Sequence, residues 1–134
     1  MLLKQTPGIK NRGTILEVIM SESQEQTKVV NWCDRRDILI FSIPNGGYGL
    51  PVGVARRLKR EGLKSGVPDL FIPIPVDNQH GLFVEMKALK RGRTSEDQKK
   101  WLSMLSDQNY RCVIAHGAEA AKTAIVEYLK LTVY

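Results

Sequence analysis

The chain has 134 residues, of which 43% are hydrophobic and 25% are charged, a composition that excludes intrinsic disorder and allows one buried core. No apolar run approaches the roughly 20 residues of a membrane span, and the start of the chain lacks a secretory signal, so we expect a cytoplasmic protein. Lys and Arg number 20 against 14 Asp and Glu, a net charge of +6 that suits a polyanionic partner such as nucleic acid. This charge alone is weak support, because many basic proteins bind nothing anionic. Cys33 and Cys112 are interpreted as two reduced, buried thiols.

The first predicted helix follows residues 1–20, which we interpret as an N-terminal arm or lead-in. Residues 14–20 form an apolar run that is either a short strand or the approach to the helix, and both alternatives stay open. Ser21 is the predicted N-cap, and the helix runs to about Arg35. The helix has an apolar arc that consists of Val29, Val30, Trp32 and Cys33. Glu22 projects into the middle of this arc, and Glu25 and Gln26 lie near its edges. Either the helix dipole or a functional pocket explains an acid at that position.

The middle of the chain predicts a strand, a basic helix and a β-hairpin. Residues 37–43 are apolar and partly β-branched, and the Pro-Asn-Gly-Gly sequence of residues 44–47 ends that strand. Residues 50–62 alternate apolar and basic side chains in the pattern of an amphipathic helix. Residues 68–75 and 81–87 are predicted strands joined by the polar turn 76–80, which indicates an antiparallel hairpin.

The last third of the chain predicts a helix, a strand and a final helix. Thr94 or Ser95 caps the first of these helices, residues 111–115 form the strand, and residues 118–130 form the last helix. The whole order is helix, strand, helix, hairpin, helix, strand, helix, which predicts a three-layer α/β fold with a central mixed β-sheet flanked by helices. One face of the capped helix carries Gln98, Trp101, Leu102 and Leu105. The inward face of the last helix carries Ala121, Ala124, Ile125, Tyr128 and Leu129.

The hairpin brings two acids and a lysine together. Side chains alternate along a strand, so Glu85 and Lys87 are neighbours on one face of the second hairpin strand. Asp69 begins the first hairpin strand, and the turn near residue 78 brings it opposite the Lys87 end of its partner. Two carboxylates and one ammonium group therefore converge at the open end of the hairpin.

Such a cluster is suited to phosphodiester hydrolysis. Two carboxylates hold Mg²⁺ and leave coordination positions for water and phosphate, and the cation acidifies water and polarises phosphorus. A neighbouring lysine orients the nucleophile or stabilises the developing charge. An isolated Glu-x-Lys pair is more often a surface ion pair across strands, which contributes little. The preceding Pro68-Asp69 in the partner strand, and the polar Glu22 and Gln98 on apolar helix faces, favour the catalytic interpretation.

These motifs resemble the VRR-NUC nuclease family, a PD-(D/E)xK group with the restriction-endonuclease-like fold. The resemblance covers roughly residues 20 to 130 and implies a single nuclease domain over residues 21–134. Members occur as stand-alone phage and bacterial proteins, and as the catalytic domain of a larger repair nuclease, so the resemblance implies the cytoplasm of a bacterial or phage-infected cell. The segments that carry it are Gly66-Val-Pro-Asp-Leu-Phe-Ile72, Gly81-Leu-Phe-Val-Glu-Met-Lys87, Gly92-Arg-Thr-Ser95 to Gln98, Ser21 to Gln26, Ile43 to Gly47, and Gly62 to Gly66.

The resemblance also implies roles for individual residues. Asp69 and Glu85 match the metal-binding acids, with the Met86 carbonyl as a further oxygen ligand and Mg²⁺ as the expected cation, for which Mn²⁺ should substitute. Lys87 matches the catalytic lysine, and Gln98 matches the helix glutamine that supports the site. For the acid of the first helix, the position on the apolar arc favours Glu22, with Glu25 as the alternative.

The resemblance implies DNA as substrate, and small members resemble Holliday-junction resolvases, which are symmetric dimers acting on branched DNA. The alternatives are a monomeric nuclease for flaps, nicks or strand ends, and a DNA-binding module of the same fold without catalysis. Gly46-Gly47-x-Gly49 is interpreted as a turn and not as a phosphate-binding loop. The basic and polar residues expected around the pocket either contact phosphates or form a solvated surface. They are Arg91, Arg93, Asn45 and Lys64.

Overall fold

The structure is a computed structural model that describes residues 7–44, 49–90 and 92–130, with side chains described from residue 21 onward. Within those ranges the chain forms four helices and four strands. They are, in chain order, α1 (Pro7–Arg35), β1 (Phe41–Ser42), α2 (Val52–Arg60), β2 (Leu70–Ile72), β3 (Leu82–Lys87), α3 (Glu96–Asp107), β4 (Arg111–His116) and α4 (Ala118–Leu129).

The four strands form one mixed sheet in the order β1-β2-β3-β4. The β1–β2 and β2–β3 pairs are antiparallel, and the β3–β4 pair is parallel. Leu70 lies opposite Val84, and Lys87 lies opposite His116. The predicted hairpin and the mixed sheet are therefore confirmed. The parallel step between β3 and β4 uses α3 as its crossover, since parallel strands cannot be joined by a tight turn.

The core fills one face of the sheet. Leu70, Leu82 and Val84 are fully buried there, and α1 and α4 pack against them. The opposite face carries Phe83, Glu85 and Lys87, and α3 lies over it near the Glu85 end. The two helices, the sheet and α3 form the three layers predicted from the element order. The core residues that α1 and α4 contribute are Val29, Cys33, Ala118, Ala121, Ile125 and Tyr128.

The first helix and the first strand differ from the sequence prediction. Helix α1 begins at Pro7, so Ser21 lies inside the helix instead of capping it, and residues 14–20 are helical and not a strand. Strand β1 is limited to Phe41–Ser42. Asp37 has a positive φ of 53°, which turns the chain after α1, and Ile38 is buried in the core instead of extending the sheet.

Both cysteines are free, Cys33 buried and Cys112 half-buried, and burial raises the pKa of each thiol to about 11. These thiols therefore stay protonated at neutral pH and are poor nucleophiles. Among the described helices, none is both long and apolar enough to cross a membrane.

Candidate active site

Asp69 lies immediately before β2, at the end of the sheet where β3 finishes. Its carboxylate Oδ2 accepts a hydrogen bond from the Met86 N–H at 2.8 Å, and its carbonyl accepts one from the Ile43 N–H at 2.8 Å. Pro68, which precedes it, is among the fully buried side chains. The side chain and the backbone of Asp69 are thus both held, one by β3 and one by the end of β1.

Glu85 and Lys87 occupy alternate positions of β3, so their side chains share one face of the sheet. Only 2% of Glu85 and 4% of Lys87 is exposed. The Lys87 Nζ lies 3.5 Å from the Glu85 Oε1. Burying two charged groups is costly unless they are paired, which makes this cluster unlike a surface ion pair. The loop after β3 packs against the base of Lys87, because a β-carbon placed on Gly92 would lie 2.8 Å from the Lys87 Cβ.

Gln98 of α3 links the lysine to the glutamate. Its Oε1 accepts from the Lys87 Nζ at 2.8 Å, and its Nε2 donates to the Glu85 Oε1 at 2.7 Å. Ser95 is the N-cap of α3, and its Oγ accepts from the Gln98 N–H while its own N–H donates to the Gln98 Oε1. This capping box fixes both the side-chain direction and the orientation of the amide. The start of α3 is therefore used to hold the charged pair in place.

The two candidate acids of α1 go to different places. Glu22 reaches the cluster: its carboxyl group lies close enough to Lys87 and Asp69 for their charges to act on its pKa, and the Ala88 backbone lies beside it. Glu25 instead accepts from the Ala118 N–H at 2.7 Å, at the start of α4, and pairs with Lys28 at 3.0 Å. Glu22, which the sequence places in the middle of the apolar arc of α1, is thus the α1 acid that lies at the cluster.

The electrostatics of the cluster favour a shared proton or a cation. Burial, reinforced by the charge of Asp69, raises the pKa of Glu85 to about 8. Burial also raises the pKa of Asp69, against the opposing effect of the Met86 N–H and Lys87. Partial burial raises the pKa of Glu22. The Glu85 Oε2 is buried and has no hydrogen-bond partner among the described residues. A proton on Glu85 would let its carboxyl group donate to Asp69, as expected for two carboxyl groups that cannot both be charged.

The residues present fit a hard divalent cation. The orphaned Glu85 Oε2 and the Asp69 carboxylate are oxygen donors of the kind that Mg²⁺ prefers. On an extended strand the N–H and C=O of one residue point to the same neighbour, so the Met86 carbonyl faces the side on which Asp69 accepts its N–H. In the described part of the chain no three His, Cys, Asp or Glu side chains are arranged to hold a metal by themselves. A cation here would therefore keep several waters, as Mg²⁺ commonly does.

The predicted DNA-contacting residues are less completely described. Arg93 and Lys64 are both exposed on loops that flank the cluster. Asn45 and Arg91 lie outside the described residues. Lys64 lines a groove of about 360 Å³ together with Phe83 and Trp101. This groove lies beside the cluster, because Phe83 precedes Glu85 by two residues on the same face of β3.

Two features of the site were not predicted from the sequence. One is the role of Glu25 as the acceptor for the first N–H of α4, which joins residues 93 positions apart and has no local signal. The other is the capping box of Ser95 and Gln98. The Ser-x-x-Gln spacing was a usable signal for it, since a Gln three residues after a Ser is typical of a helix start.

Comparisons with known proteins agree with this geometry. The model of the VRR-NUC domain matches residues 19–119. A solved structure described as a VRR_NUC domain protein is 32% identical, with 83% of this chain and 89% of that chain covered and a TM-score of 0.71. The comparison with curated proteins gave no match. The family match spans Glu22, Asp69, Glu85, Lys87 and Gln98. The chain therefore belongs to the VRR-NUC family of nuclease domains.

Proposed function

We propose that this protein is a Mg²⁺-dependent endonuclease that hydrolyses phosphodiester bonds of DNA, with Asp69, Glu85 and Lys87 as its catalytic centre. The observation that carries the proposal is the Glu85 carboxylate. It is 2% exposed, lies beside a second carboxyl group, and keeps one oxygen without a partner among the described residues. A structural ion pair has no use for the second acid or for that free oxygen. A cation-binding pair needs both.

The chain's own residues would divide the chemistry between them. Asp69 and Glu85 would hold the cation, with the Met86 carbonyl beside them and Glu22 at the margin of the cluster. When bound, Mg²⁺ would polarise the phosphate and acidify water. Lys87 cannot swing away, because Gln98 holds its Nζ at 2.8 Å. Its ammonium group would therefore offer a fixed positive charge to the attacking water or to the charge that develops on the phosphate, without reorganisation during the reaction.

A test of this centre compares cleavage with binding. We expect Asp69→Ala and Glu85→Ala to lower turnover in Mg²⁺ by orders of magnitude, since each removes a cation ligand. Metal-free DNA affinity should stay level or rise, because each change removes a negative charge from the phosphate site. Lys87→Ala should also cripple cleavage. Glu127→Ala removes an equal charge from an exposed position on α4 and serves as the control. If Asp69→Ala and Glu85→Ala cut DNA at the rate of that control, the acids are structural and the proposal fails.

The cation can be tested directly. Calorimetric titration of the wild type with Mn²⁺ in the presence of DNA should give binding that Glu85→Ala abolishes. EDTA should stop cleavage, and Mg²⁺ should restore it. Wild-type protein that binds neither Mg²⁺ nor Mn²⁺ under these conditions would contradict a metal-dependent mechanism.

For the substrate, we propose branched DNA such as a Holliday junction, cut by a homodimer with a role in DNA repair. A four-way junction is nearly two-fold symmetric, so even cutting requires two active sites related by a matching axis. The alternative is a monomer that acts on flaps, nicks or strand ends. A cleavage panel of four-way junction, flap, nicked and single-stranded DNA, with sedimentation at micromolar concentration, separates the two. A chain that stays monomeric on junction DNA would rule out the resolvase and leave the nuclease.

A further inference from the structure

Helix α2 and the loop that follows it carry most of the excess positive charge of the chain. Residues 52–64 contain five basic residues against one acid, hence a net +4 out of the chain's +6. Of the five, Arg57 pairs with Glu61 at 3.8 Å, with both side chains about 60% exposed. The other four, Arg56, Lys59, Arg60 and Lys64, make no ion pair with the described residues. The charge is thus concentrated in one segment and is left largely uncompensated.

The basic residues of α2 point away from the protein. At about 100° per residue, the four basic side chains of the helix fall within an arc of about 160°, centred opposite Val54, Ala55 and Leu58. Those three apolar side chains are half-buried, the basic ones are exposed, and no residue of α2 is fully buried. The helix therefore rests on the protein by a narrow apolar strip and presents a continuous cationic surface to solvent.

This surface is tied to the catalytic centre at both ends of its segment. The connection from β1 to β2 starts at Ile43 and returns at Asp69, and the Ile43 N–H donates to the Asp69 carbonyl at 2.8 Å. Near its end, Gly66 (φ 90°) packs so closely on α3 that a β-carbon there would lie 2.5 Å from the Asp97 backbone, next to Gln98. The segment that carries α2 is thus anchored against the same residues that hold the active site.

Like charges at helical spacing are costly without an external partner. Arg56 and Arg60 stand four residues apart, and Arg57 and Arg60 three apart, spacings at which like charges destabilise a helix by about 0.2–0.5 kcal/mol per pair. Elsewhere in the described chain, Lys28, Lys99 and Lys122 each pair with an acid three residues away on the same helix. Helix α2 has four bases, and one acid, Glu61 at its C-cap, pairs with them.

We propose that α2 is the arm that binds the DNA backbone beside the scissile phosphate, with Arg56, Lys59, Arg60 and Lys64 contacting phosphates of the flanking nucleotides. This inference rests on the proposed function, since it takes DNA as the ligand, and it assigns the binding surface that the catalytic cluster lacks. Lys64 lines the groove beside the cluster and continues the cationic surface of α2 to that groove. Contacts of this kind position a duplex and carry no sequence preference.

The test replaces Arg56 and Arg60 by glutamine and measures binding of a fluorescein-labelled forked duplex in EDTA over roughly 50 to 300 mM salt. Each lost phosphate contact lowers the slope of log affinity against log salt by about 0.9, which is about 8-fold in affinity at 0.1 M salt. The double variant should therefore bind up to about 60-fold more weakly, with a slope smaller by about two. Glutamine is a good helix former, so α2 should persist, which circular dichroism checks.

Arg35→Gln with Arg111→Gln is the matched control, because it removes the same charge from the other end of the molecule. Arg35 lies 13 residues along α1 from Glu22, about 20 Å away, and Arg111 begins β4 opposite Leu82. We expect the control to bind nearly as the wild type does. In Mg²⁺, Arg56→Gln with Arg60→Gln should raise KM and leave kcat at saturating DNA unchanged. That split separates a binding arm from a catalytic or purely structural helix.

Three results would overturn the inference: equal affinity and salt slope for the α2 variant and the control, no salt-dependent DNA binding by the wild type, or a loss confined to kcat. Failure of the proposed function has a different signature. A wild type that binds DNA and never cleaves it, while the α2 variant still loses affinity relative to the control, would refute catalysis and support the arm.

Discussion

Replacing Glu85 by glutamine should make the protein more stable at pH 8 when no metal is present. Burial and the charge of Asp69 raise the pKa of Glu85 from 4.5 to about 8. Between these two values the folded protein keeps a proton that the unfolded chain has released. The free energy of unfolding therefore falls as the pH rises through this window, and the full stability is present only below about pH 4.5.

The size of the effect follows from the same shift. At about 1.36 kcal/mol per pKa unit, a rise from 4.5 to about 8 corresponds to at most about 5 kcal/mol. Asp69 shares the proton, and the charge of Lys87 opposes the rise in the Glu85 pKa. We therefore expect the free energy of unfolding to fall by about 2–4 kcal/mol between pH 5 and pH 8. Glutamine stays neutral throughout. Its amide can donate to Asp69 as the protonated acid does, and it can still accept from the Gln98 Nε2.

The assay is urea denaturation of the wild type, Glu85→Gln and the exposed control Glu127→Gln at pH 5 and pH 8, in EDTA and again in Mg²⁺. In EDTA, the free energy of unfolding of the wild type and of the control should fall by about 2–4 kcal/mol more than that of Glu85→Gln as the pH rises from 5 to 8. At a Mg²⁺ concentration about 100 times the dissociation constant, the wild type should regain about 2.7 kcal/mol at pH 8, and Glu85→Gln should not. If the stabilities of the three proteins in EDTA depend on pH in parallel, Glu85 is ionised in the folded protein without cost and its burial does not raise its pKa.

Two further predictions concern residues that hold the site. Gln98→Ala leaves the Lys87 Nζ and the Glu85 Oε1 without their closest partners, so its free energy of unfolding in urea should fall by about 2–4 kcal/mol. The control, Gln108→Ala at the exposed end of the same helix, should change little. Equal stability of the two variants would contradict this. Glu25→Gln weakens the start of α4, so it should lower the free energy of unfolding by about 0.5–2 kcal/mol and leave cleavage unchanged. Glu22→Gln should impair cleavage and have little effect on stability. The reverse pattern in parallel unfolding and cleavage assays would show that the roles of the two acids are exchanged.

Much of the fold followed from local patterns in the sequence. The polar turn between two apolar runs predicted the hairpin, and strand alternation put Glu85 and Lys87 on one face. Helical spacing put Gln98 and Trp101 on one face of α3, and Ser95 was one of two expected caps. Each of these features involves residues within one element or one turn. Their geometry is set by the period of the backbone, which does not depend on the rest of the protein.

The ends of elements were less predictable. Pro7 as the first residue of α1 and the short β1 depend on what the neighbouring segments pack against, since helix ends and strand ladders need partners outside the element. Residues 38–40 have the composition of a strand, yet Ile38 is drawn into the core by α1 and the sheet. Intrinsic strand preference is weak enough that such packing overrides it.

At the site, local sequence patterns were enough to predict which residue types are present and which of them share a face. It left Glu22 and Glu25 as alternatives, because both lie on one side of α1 and differ by less than a turn. The fold separates their environments: it brings the Ala118 N–H to Glu25 from 93 residues away, and it brings Glu22 close to Lys87 and Asp69. It also decided the burial that raises the pKa of Glu85 to about 8 and makes its free oxygen a candidate cation ligand. Burial depends on every element that covers the group, and no local pattern contains that information.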